Sequence, residues 1–128
     1  MKIKCIALDL DRTTLDGQGR LSEGNRQALL QAIANGIHVI VASGRAFDTL
    51  PEDIVTLPGI EYAVTGNGAA MYHVPTGKCL HKYLLKEKDV AAIMDATAGI
   101  YAVAGKEAMG VTYEAFLKGV AYGGWEYV

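Results

Sequence analysis

Residues 3–15 read IKCIALDLDRTTL, an apolar run that ends abruptly in two acids, Asp9 and Asp11. An apolar run of this length between polar residues is typical of a central, buried strand in a parallel sheet, which predicts that Cys5 is buried. Ligands bind to open α/β sheets in the crevice outside the carboxyl ends of the strands. The sequence therefore places two carboxylates where an α/β fold binds its ligands.

The spacing of Asp9 and Asp11 allows both carboxylates to face one small volume, because residues i and i+2 of an extended segment point to the same side. Two carboxylates this close repel each other unless a cation neutralises the pair. Such a pair can bind Mg²⁺, with one acid as a nucleophile and the other as a proton carrier. The residues alone leave a second interpretation open, a solvated turn in which Asp11 caps nearby backbone.

The length is that of about one domain, and the composition indicates no basic surface. The 128 residues carry a net charge of −2, so neither nucleic acid nor an anionic membrane is an expected partner. No apolar run approaches the roughly 20 residues of a membrane span, and the N-terminus lacks the pattern of a signal peptide. The two cysteines, Cys5 and Cys79, suggest no disulfide framework, which predicts a reducing, cytoplasmic location.

A β-α-β unit follows the two acids. Ser22 is a typical N-cap for a helix that runs to Asn35, and Gly36 suits the left-handed position that follows a helix. A second apolar run covers Ile37–Ala42. Because a β-α-β crossover is right-handed in nearly all proteins, the two strands are expected to lie parallel in one sheet.

The second strand ends in Ser43-Gly44-Arg45, and a helix disturbed by Pro51 is predicted over Ala46–Val55. Unpaired backbone amides and the helix dipole at such a position favour an anion. The serine hydroxyl adds a hydrogen-bond donor, and the glycine allows a ligand to approach the backbone closely. A helix cap beside a surface arginine explains the same three residues, and this second interpretation stays open.

A third strand is predicted over Tyr62–Thr65, and it ends in a glycine-rich turn at residues 66–68. Asn-Gly is a strong hairpin signal, so Ala69–Val74 is expected to return antiparallel to the third strand. One more short strand is predicted over Cys79–Leu84. Asn67 is either a turn residue alone or a turn residue that also offers its amide to a ligand.

The last third of the chain changes character. A helix is predicted over Lys86–Ala98, followed by a short strand at Ile100–Ala104 that pairs with Val111–Tyr113, and by a short helix at Glu114–Val120. A sheet that leaves an apolar edge uncovered tends to associate with a partner. Homo-oligomers are therefore an expected form of this chain.

Three stretches resemble the motifs of haloacid dehalogenase superfamily phosphatases. Asp9–Thr13 resembles their D-x-D-x-T first motif, and Val41–Arg45 resembles the second motif, a strand that ends in Ser or Thr. Thr65–Ala69 resembles the Asn-Gly-Ala stretch of the Cof-type subgroup, subclass IIB. The resemblance implies an α/β fold in which residues 1–82 form a Rossmann-like core, a parallel sheet with helices on both faces. Residues 83–128 would begin an incomplete α+β cap.

The resemblance also implies a role for each matching residue. Asp9 would be the nucleophile that becomes an aspartyl-phosphate, and Asp11 would protonate the leaving oxygen and then assist the attack of water. Ser43, with the backbone amides around Leu10 and Gly44, would hold the phosphate oxygens. The cofactor Mg²⁺ would contact Asp9 and the backbone carbonyl of Asp11.

Three further residues are candidate substrate contacts by the same resemblance: Arg12, Arg45 and Asn67. Arg12 stands where the family most often has glycine. The lysine and the further acids that complete the family's site lie on chain that follows the cap. On this resemblance the sequence is expected to be the front part of a longer enzyme, with weak or no activity on its own.

The function implied by the resemblance is a Mg²⁺-dependent phosphatase of small phosphorylated metabolites such as sugar phosphates. An alternative of another class is a catalytically inactive fold remnant that self-associates through the unfinished cap or a sheet edge. A signalling receiver domain fits less well, because it needs a phosphoacceptor aspartate after the third strand, where this chain has Thr65 and Gly66.

Overall fold

The structure is a computed structural model, and it describes residues 2–104 and 114–123. The chain divides into two compact units. The first contains Met1–Lys82 with Phe116–Ala121, and the second contains Tyr83–Ala115 with Tyr122–Val128. The candidate site lies within the first unit.

The helices and strands have the following bounds: β1 Cys5–Leu8, α1 Glu23–Ala34, β2 His38–Ala42, α2 Glu52–Val55, β3 Ile60–Thr65, β4 Ala70–His73, β5 Lys78–Lys82, α3 Glu87–Ala104, β6 Glu114–Leu117 and β7 Val120–Gly123. The first five strands form one sheet in the order β1-β2-β3-β4-β5. β1, β2 and β3 are mutually parallel, whereas β4 and β5 each run antiparallel to their predecessor. The predicted α/β fold, with a parallel β-α-β unit and a small antiparallel addition, is confirmed.

The core packs around β2 and β3. Alternate residues of β2, Val39 and Val41, are buried, as is Ala63 on β3. Leu10, immediately after β1, is fully buried in the same cluster. Burial of one leucine side chain contributes about 1.5–3 kcal/mol, so Leu10 anchors the turn that carries the two acids. The other members of the cluster are Leu15, Leu29, Leu50, Ile54, Leu57, Ile60 and Val74.

The first strand differs from the prediction of a buried central strand. Among the described residues, β1 pairs only with β2 and lies at the edge of the five-stranded sheet. Its residues alternate between exposed and half-buried, and Cys5 is exposed. The prediction of a buried Cys5 is therefore wrong, because an apolar run does not reveal how many strands lie beside it.

The first helix begins and ends where the sequence indicates. The Ser22 hydroxyl oxygen accepts a hydrogen bond from the backbone amide of Asn25 at 3.2 Å, which satisfies one free amide of the first turn of α1. At the other end Gly36 has φ +76°, a left-handed conformation that costs glycine little. Both predicted ends of the helix are confirmed.

Removal of the Ser22 cap is expected to destabilise the fold measurably. Ser22→Ala leaves the Asn25 amide without its partner, and we expect the free energy of unfolding to fall by about 1 kcal/mol. Ser22→Asp restores an acceptor and serves as the matched control. The measurement is urea unfolding, and an unchanged midpoint for the alanine variant would contradict the role of the cap.

The predicted helix over Ala46–Val55 does not form as one element. A 3₁₀ turn covers Phe47–Thr49, Leu50 is extended with ψ 136°, and α2 starts only after Pro51. Proline lacks a backbone N–H and disfavours the helical conformation in the residue before it, which separates the two pieces. No helix N-terminus therefore follows Ser43 directly. Binding of an anion beside Ser43 would depend on the backbone amides of the loop rather than on a helix dipole.

The helix α3 is longer than predicted. It continues to Ala104, so the predicted strand at Ile100–Ala104 is wrong. Its apolar residues continue at helical spacing from Val90 through Ile93 to Ile100, and this period outweighs the strand preference of the short run. None of the helices in the described ranges has the length and hydropathy of a membrane span.

A hairpin replaces the predicted helix at Glu114–Val120. β6 and β7 pair with each other, and the two residues between them, Lys118 and Gly119, have φ +54° and +86°. Two consecutive left-handed residues are the signature of a tight two-residue hairpin turn. The sequence lacked the usual Asn-Gly or Asp-Gly signal, and the predicted strand at Val111–Tyr113 lies outside the described residues.

Candidate active site

The chain after β1 folds back onto Asp9. The hydroxyl of Thr13 lies 2.7 Å from the Asp9 carbonyl oxygen and 2.8 Å from its carboxylate Oδ2, so one proton is shared between two acceptors. The Thr14 hydroxyl donates to the same carbonyl oxygen at 2.6 Å. The turn closes with a hydrogen bond of 2.8 Å from the Leu15 amide to the Leu10 carbonyl. These bonds fix one side of the Asp9 carboxylate and leave Oδ1 for another partner.

A cavity of about 200 Å³ opens at the carboxyl ends of the parallel strands. This is the edge of the sheet at which open α/β folds bind ligands, as the sequence predicts. The residues that line the cavity come from the ends of β1, β2 and β3 and from the turns that follow them: Asp9, Ala42, Ser43, Gly44, Val64, Asn67 and Gly68.

The segment after β2 is tied to the end of β3. The Ser43 amide donates to the Val64 carbonyl at 2.9 Å, and the Asn67 amide donates to the Ser43 carbonyl at 3.3 Å. The Ser43 side chain is buried, and its oxygen accepts a hydrogen bond of 3.2 Å from the Arg45 amide. Since a hydroxyl is also a donor, its proton remains available to an oxygen atom in the cavity.

Gly44 lies close to the side chain of Asn67 in the next loop. A Cβ atom at this position would lie 2.9 Å from the side-chain oxygen of Asn67. Asn67 itself has φ +54°, a left-handed conformation that asparagine tolerates better than most residues. The two loops therefore meet at the cavity wall through the Gly44 backbone and the Asn67 side chain.

The second acid is held by an arginine from the neighbouring strand end. Arg45 donates from Nε to Asp11 Oδ2 at 2.9 Å and from Nη2 to Asp11 Oδ1 at 2.7 Å. A third hydrogen bond of 2.9 Å joins Nη1 to the Thr49 carbonyl. The two residues are 34 positions apart in sequence. Parallel, bidentate pairs of this kind are among the stronger charge-assisted hydrogen bonds.

The structure brings some of the predicted site residues together at the cavity and places others beside it. Asp9, Ser43, Gly44 and Asn67 line the cavity, whereas Asp11 is not among the lining residues. The candidate substrate contact Arg45 makes its hydrogen bonds to Asp11 and Thr49, and the candidate phosphate contact Leu10 is buried beneath the turn. Arg12 is exposed on the turn, with φ +62°.

The arginine changes the titration of its partner. Hydrogen bonding from Arg45 lowers the pKa of Asp11, burial opposes this effect, and the charges of Arg45 and Arg12 lower it further. The same hydrogen bond raises the pKa of Arg45. Asp11 is therefore ionised at neutral pH in this arrangement.

The ion pair makes a pH-dependent contribution to stability with a defined sign. Because the pKa of Asp11 is lower in the folded chain than in the unfolded chain, the stabilisation is fully present above the unfolded value and is lost as the pH falls through the folded value. Asp11 is half exposed, so we expect at most about 1 kcal/mol. Urea unfolding of the wild type and Asp11→Asn should differ at pH 7 and converge in acid; a constant difference would contradict this assignment.

The oxygen donors at the end of β1 are of the type that Mg²⁺ prefers. Among the described residues, no group of three or more His, Cys, Asp or Glu side chains is arranged to hold a metal ion. Mg²⁺ does not require such a cage, because it commonly binds through one or two carboxylates, keeps several waters and contacts a substrate phosphate. The Asp9 carboxylate and the Asp11 carbonyl fit that mode of binding.

Sequence reasoning found the cavity residues and missed the ion pair between Asp11 and Arg45. No local pattern links two positions on different strands. A signal was nevertheless present: opposite charges follow β1 and β2, and adjacent parallel strands place their carboxyl ends together.

Comparisons with known proteins identify the family of the chain. The family model described as haloacid dehalogenase-like hydrolase matches residues 6–107. The phosphatase YwpJ of Bacillus subtilis is 38% identical over 87 residues, which are 67% of this chain and 30% of that protein. The 5-amino-6-(5-phospho-D-ribitylamino)uracil phosphatase YcsE of the same organism is 33% identical over 70 residues, 55% of this chain and 28% of that protein.

Solved structures of the same family superpose on this chain. A haloacid dehalogenase-like hydrolase from B. subtilis superposes with a TM-score of 0.64 at 31% identity, over 77% of this chain and 34% of that one. The phosphatase BT1666 from Bacteroides thetaiotaomicron superposes with a TM-score of 0.68 at 26% identity, over 77% of this chain and 36% of that one. The chain thus spans about a third of the length of the curated relatives that it matches.

Proposed function

The chain belongs to the haloacid dehalogenase-like hydrolase family, and from this premise we propose that it is a Mg²⁺-dependent phosphatase of small phosphorylated metabolites such as sugar phosphates. The observation that carries the proposal is the position of Asp9. Its carboxylate lines the cavity together with Ser43 and Gly44, and its Oδ2 is held by the Thr13 hydroxyl. A carboxylate held in this way beside hydrogen-bond donors is a nucleophile facing an anion site.

The proposed reaction has two steps. Asp9 Oδ1 attacks the phosphorus atom, the bond from phosphorus to the ester oxygen breaks, and the leaving oxygen takes a proton from Asp11. Since Asp11 is ionised while it is paired with Arg45, it has to leave that pair and take up this proton from water before the step. Water then attacks the aspartyl-phosphate and loses a proton to Asp11, which releases inorganic phosphate and restores the Asp9 carboxylate. Dividing one difficult displacement into two easier ones is the benefit of covalent catalysis.

The phosphate oxygens need compensation for their charge. The Ser43 hydroxyl and the backbone amides of Leu10 and Gly44 are the proposed donors. Mg²⁺, held by the Asp9 carboxylate and the Asp11 carbonyl, would offset the negative charge of the phosphoryl group when bound. Phosphoryl transfer depends chiefly on such positioning and neutralisation of charge.

Metal-dependent phosphate release tests this function. The substrate is p-nitrophenyl phosphate, measured with Mg²⁺ and again with excess chelator. Since the chain spans about a third of the relatives that it matches, we expect at most weak release in Mg²⁺ and none above background after chelation. The variant Asp16→Asn should release phosphate like the wild type, because the Asp16 carboxylate accepts the Gln18 and Arg20 amides in a separate turn. Release that is indifferent to the chelator would contradict the proposed metal dependence.

A second candidate function rests on the exposed apolar residues of the second unit. Tyr83, Leu84 and Leu85 are 69%, 64% and 69% exposed. Three consecutive exposed apolar side chains favour self-association, and we propose homo-oligomers as the alternative role of a catalytically inactive chain. Size-exclusion chromatography with light scattering should then show oligomers that Leu84→Ser weakens, and a monomer for the wild type would exclude this alternative.

The proposed location is the cytoplasm. Cys5 and Cys79 are both exposed free thiols. Exposed free thiols are suited to a reducing compartment, because an oxidising one favours disulfide formation. The proposed partner is the small phosphorylated metabolite that the chain would hydrolyse. With a net charge of −2, neither nucleic acid nor a membrane is a proposed partner.

A further inference from the structure

We infer that the turn of Lys118 and Gly119 is a strap that docks on the segment after Ser43, and that docking of this strap and binding of an anion in the cavity favour each other. The strap belongs to the first unit, which includes Phe116–Ala121. No step of the proposed reaction uses it. The docking is independent of the proposed function, whereas its link to the cavity rests on that function.

The strap is held by one backbone hydrogen bond and by a close fit against two aromatic rings. The Asp48 amide donates to the Gly119 carbonyl oxygen at 2.9 Å. A Cβ atom at residue 119 would lie 2.9 Å from the Tyr72 hydroxyl oxygen and 3.2 Å from the Phe47 Cβ atom. Because real Cβ atoms do not approach other atoms this closely, the docked strap accepts only a glycine at this position.

The surface under the strap is fixed in place. The rings of Phe47 and Tyr72 stack with their centroids 4.4 Å apart and an angle of 18° between their planes. Tyr72 is only 5% exposed, and Phe47 packs against the hydrophobic core. A buried, stacked ring cannot turn without displacing its neighbours, so the Tyr72 hydroxyl cannot swing aside to admit a side chain at residue 119.

The segment that receives the strap continues directly into the wall of the cavity. The 3₁₀ turn at Phe47–Thr49 carries the Asp48 amide, and the Thr49 carbonyl accepts a hydrogen bond of 2.9 Å from Arg45 Nη1. The Arg45 amide donates to Ser43 Oγ at 3.2 Å, and Ser43 lines the cavity. A strap that orders one end of this short segment reduces the entropy that an anion loses when it orders the other end. Such coupling is reciprocal.

Tryptic cleavage after Lys118 measures the docking. A protease binds its substrate as an extended strand, so the turn first has to leave its docking surface. When opening and closing are fast relative to cleavage, the cleavage rate follows the population of the undocked form. In the 128-residue chain without ligand, we expect Gly119→Ala to raise this rate about 10-fold or more, because overpacking shifts a two-state equilibrium by roughly 5–30-fold.

Two further variants isolate the collision with the rings. Gly119→Asn also adds a Cβ atom but tolerates the left-handed conformation, so it should be cleaved nearly as fast as Gly119→Ala. Gly77→Ala is the matched control and should be cleaved at the wild-type rate. Gly77 has φ +63°, and a Cβ atom there would meet Phe47 at a van der Waals distance of 3.8 Å. A wild-type rate for either Gly119 variant would overturn the docking.

Inorganic phosphate tests the link to the cavity. With Mg²⁺ present, we expect saturating phosphate to slow cleavage of the wild type after Lys118 about 5-fold or more. Gly119→Ala should raise the dissociation constant for phosphate, measured by calorimetry, by about the same factor. Phosphate that binds the wild type without slowing cleavage would overturn the link. A wild type that binds no phosphate would contradict the link and the proposed function together, whereas the ligand-free cleavage rates decide the docking separately.

Discussion

Asp9→Asn is expected to abolish the phosphate release that the wild type shows and to bring the rate to the uncatalysed background. The amide has nearly the shape of the carboxylate and can still accept the Thr13 hydrogen bond at its oxygen atom. It cannot attack phosphorus, since its nitrogen lone pair is delocalised and its oxygen carries no full charge. The fold should therefore be retained while the chemistry is lost.

A readout that needs no turnover strengthens this test. Beryllium fluoride with Mg²⁺ mimics a phosphoryl group on an aspartate, and its ¹⁹F resonances report the adduct. We expect an adduct with the wild type and none with Asp9→Asn. Asp16→Asn is again the matched control, because Asp16 lies in a surface turn bonded to Gln18 and Arg20. An adduct that survives in Asp9→Asn would show that the nucleophile has been assigned to the wrong residue.

The convergence of Asp9 and Ser43 was predictable because it follows from the topology of the sheet. Apolar runs that end in polar residues predicted three parallel strands, and the carboxyl ends of parallel strands meet at one edge. The resemblance to haloacid dehalogenase phosphatases is confirmed by the family match over residues 6–107. Both ends of α1 were also predictable from local sequence. Ser22 caps the first turn with its own side chain, and Gly36 adopts the left-handed conformation that follows the helix.

The features that sequence reasoning missed depend on interactions that no local pattern contains. The pair of Asp11 and Arg45 joins two strand ends 34 residues apart. The burial of β1 depends on what lies beside it rather than on its own apolar residues. The turn at Lys118 and Gly119 depends on two left-handed residues, one of which is a lysine that ordinarily avoids this conformation.

Gly59→Ala is expected to produce the largest loss of stability among simple substitutions at glycine, about 2–5 kcal/mol. Gly59 precedes β3 and has φ +92°, which disfavours any residue with a Cβ atom by about 1–2 kcal/mol. The added Cβ would also lie 2.5 Å from Cγ2 of Ile33 on α1. Isoleucine has one strongly preferred rotamer in a helix, so its methyl group cannot swing away, and overpacking of this kind costs about 1–3 kcal/mol.

A matched glycine separates the two costs. Gly36 has φ +76°, but a Cβ atom there would meet nothing within 4 Å. Gly36→Ala therefore carries the conformational cost alone, about 1–2 kcal/mol, and the excess of Gly59→Ala over Gly36→Ala in urea unfolding measures the collision with Ile33. Ile33→Ala removes the Cγ2 atom, so in that background Gly59→Ala should cost no more than Gly36→Ala. Equal costs for the two glycines in the wild-type background would show instead that α1 can shift to accept the methyl group.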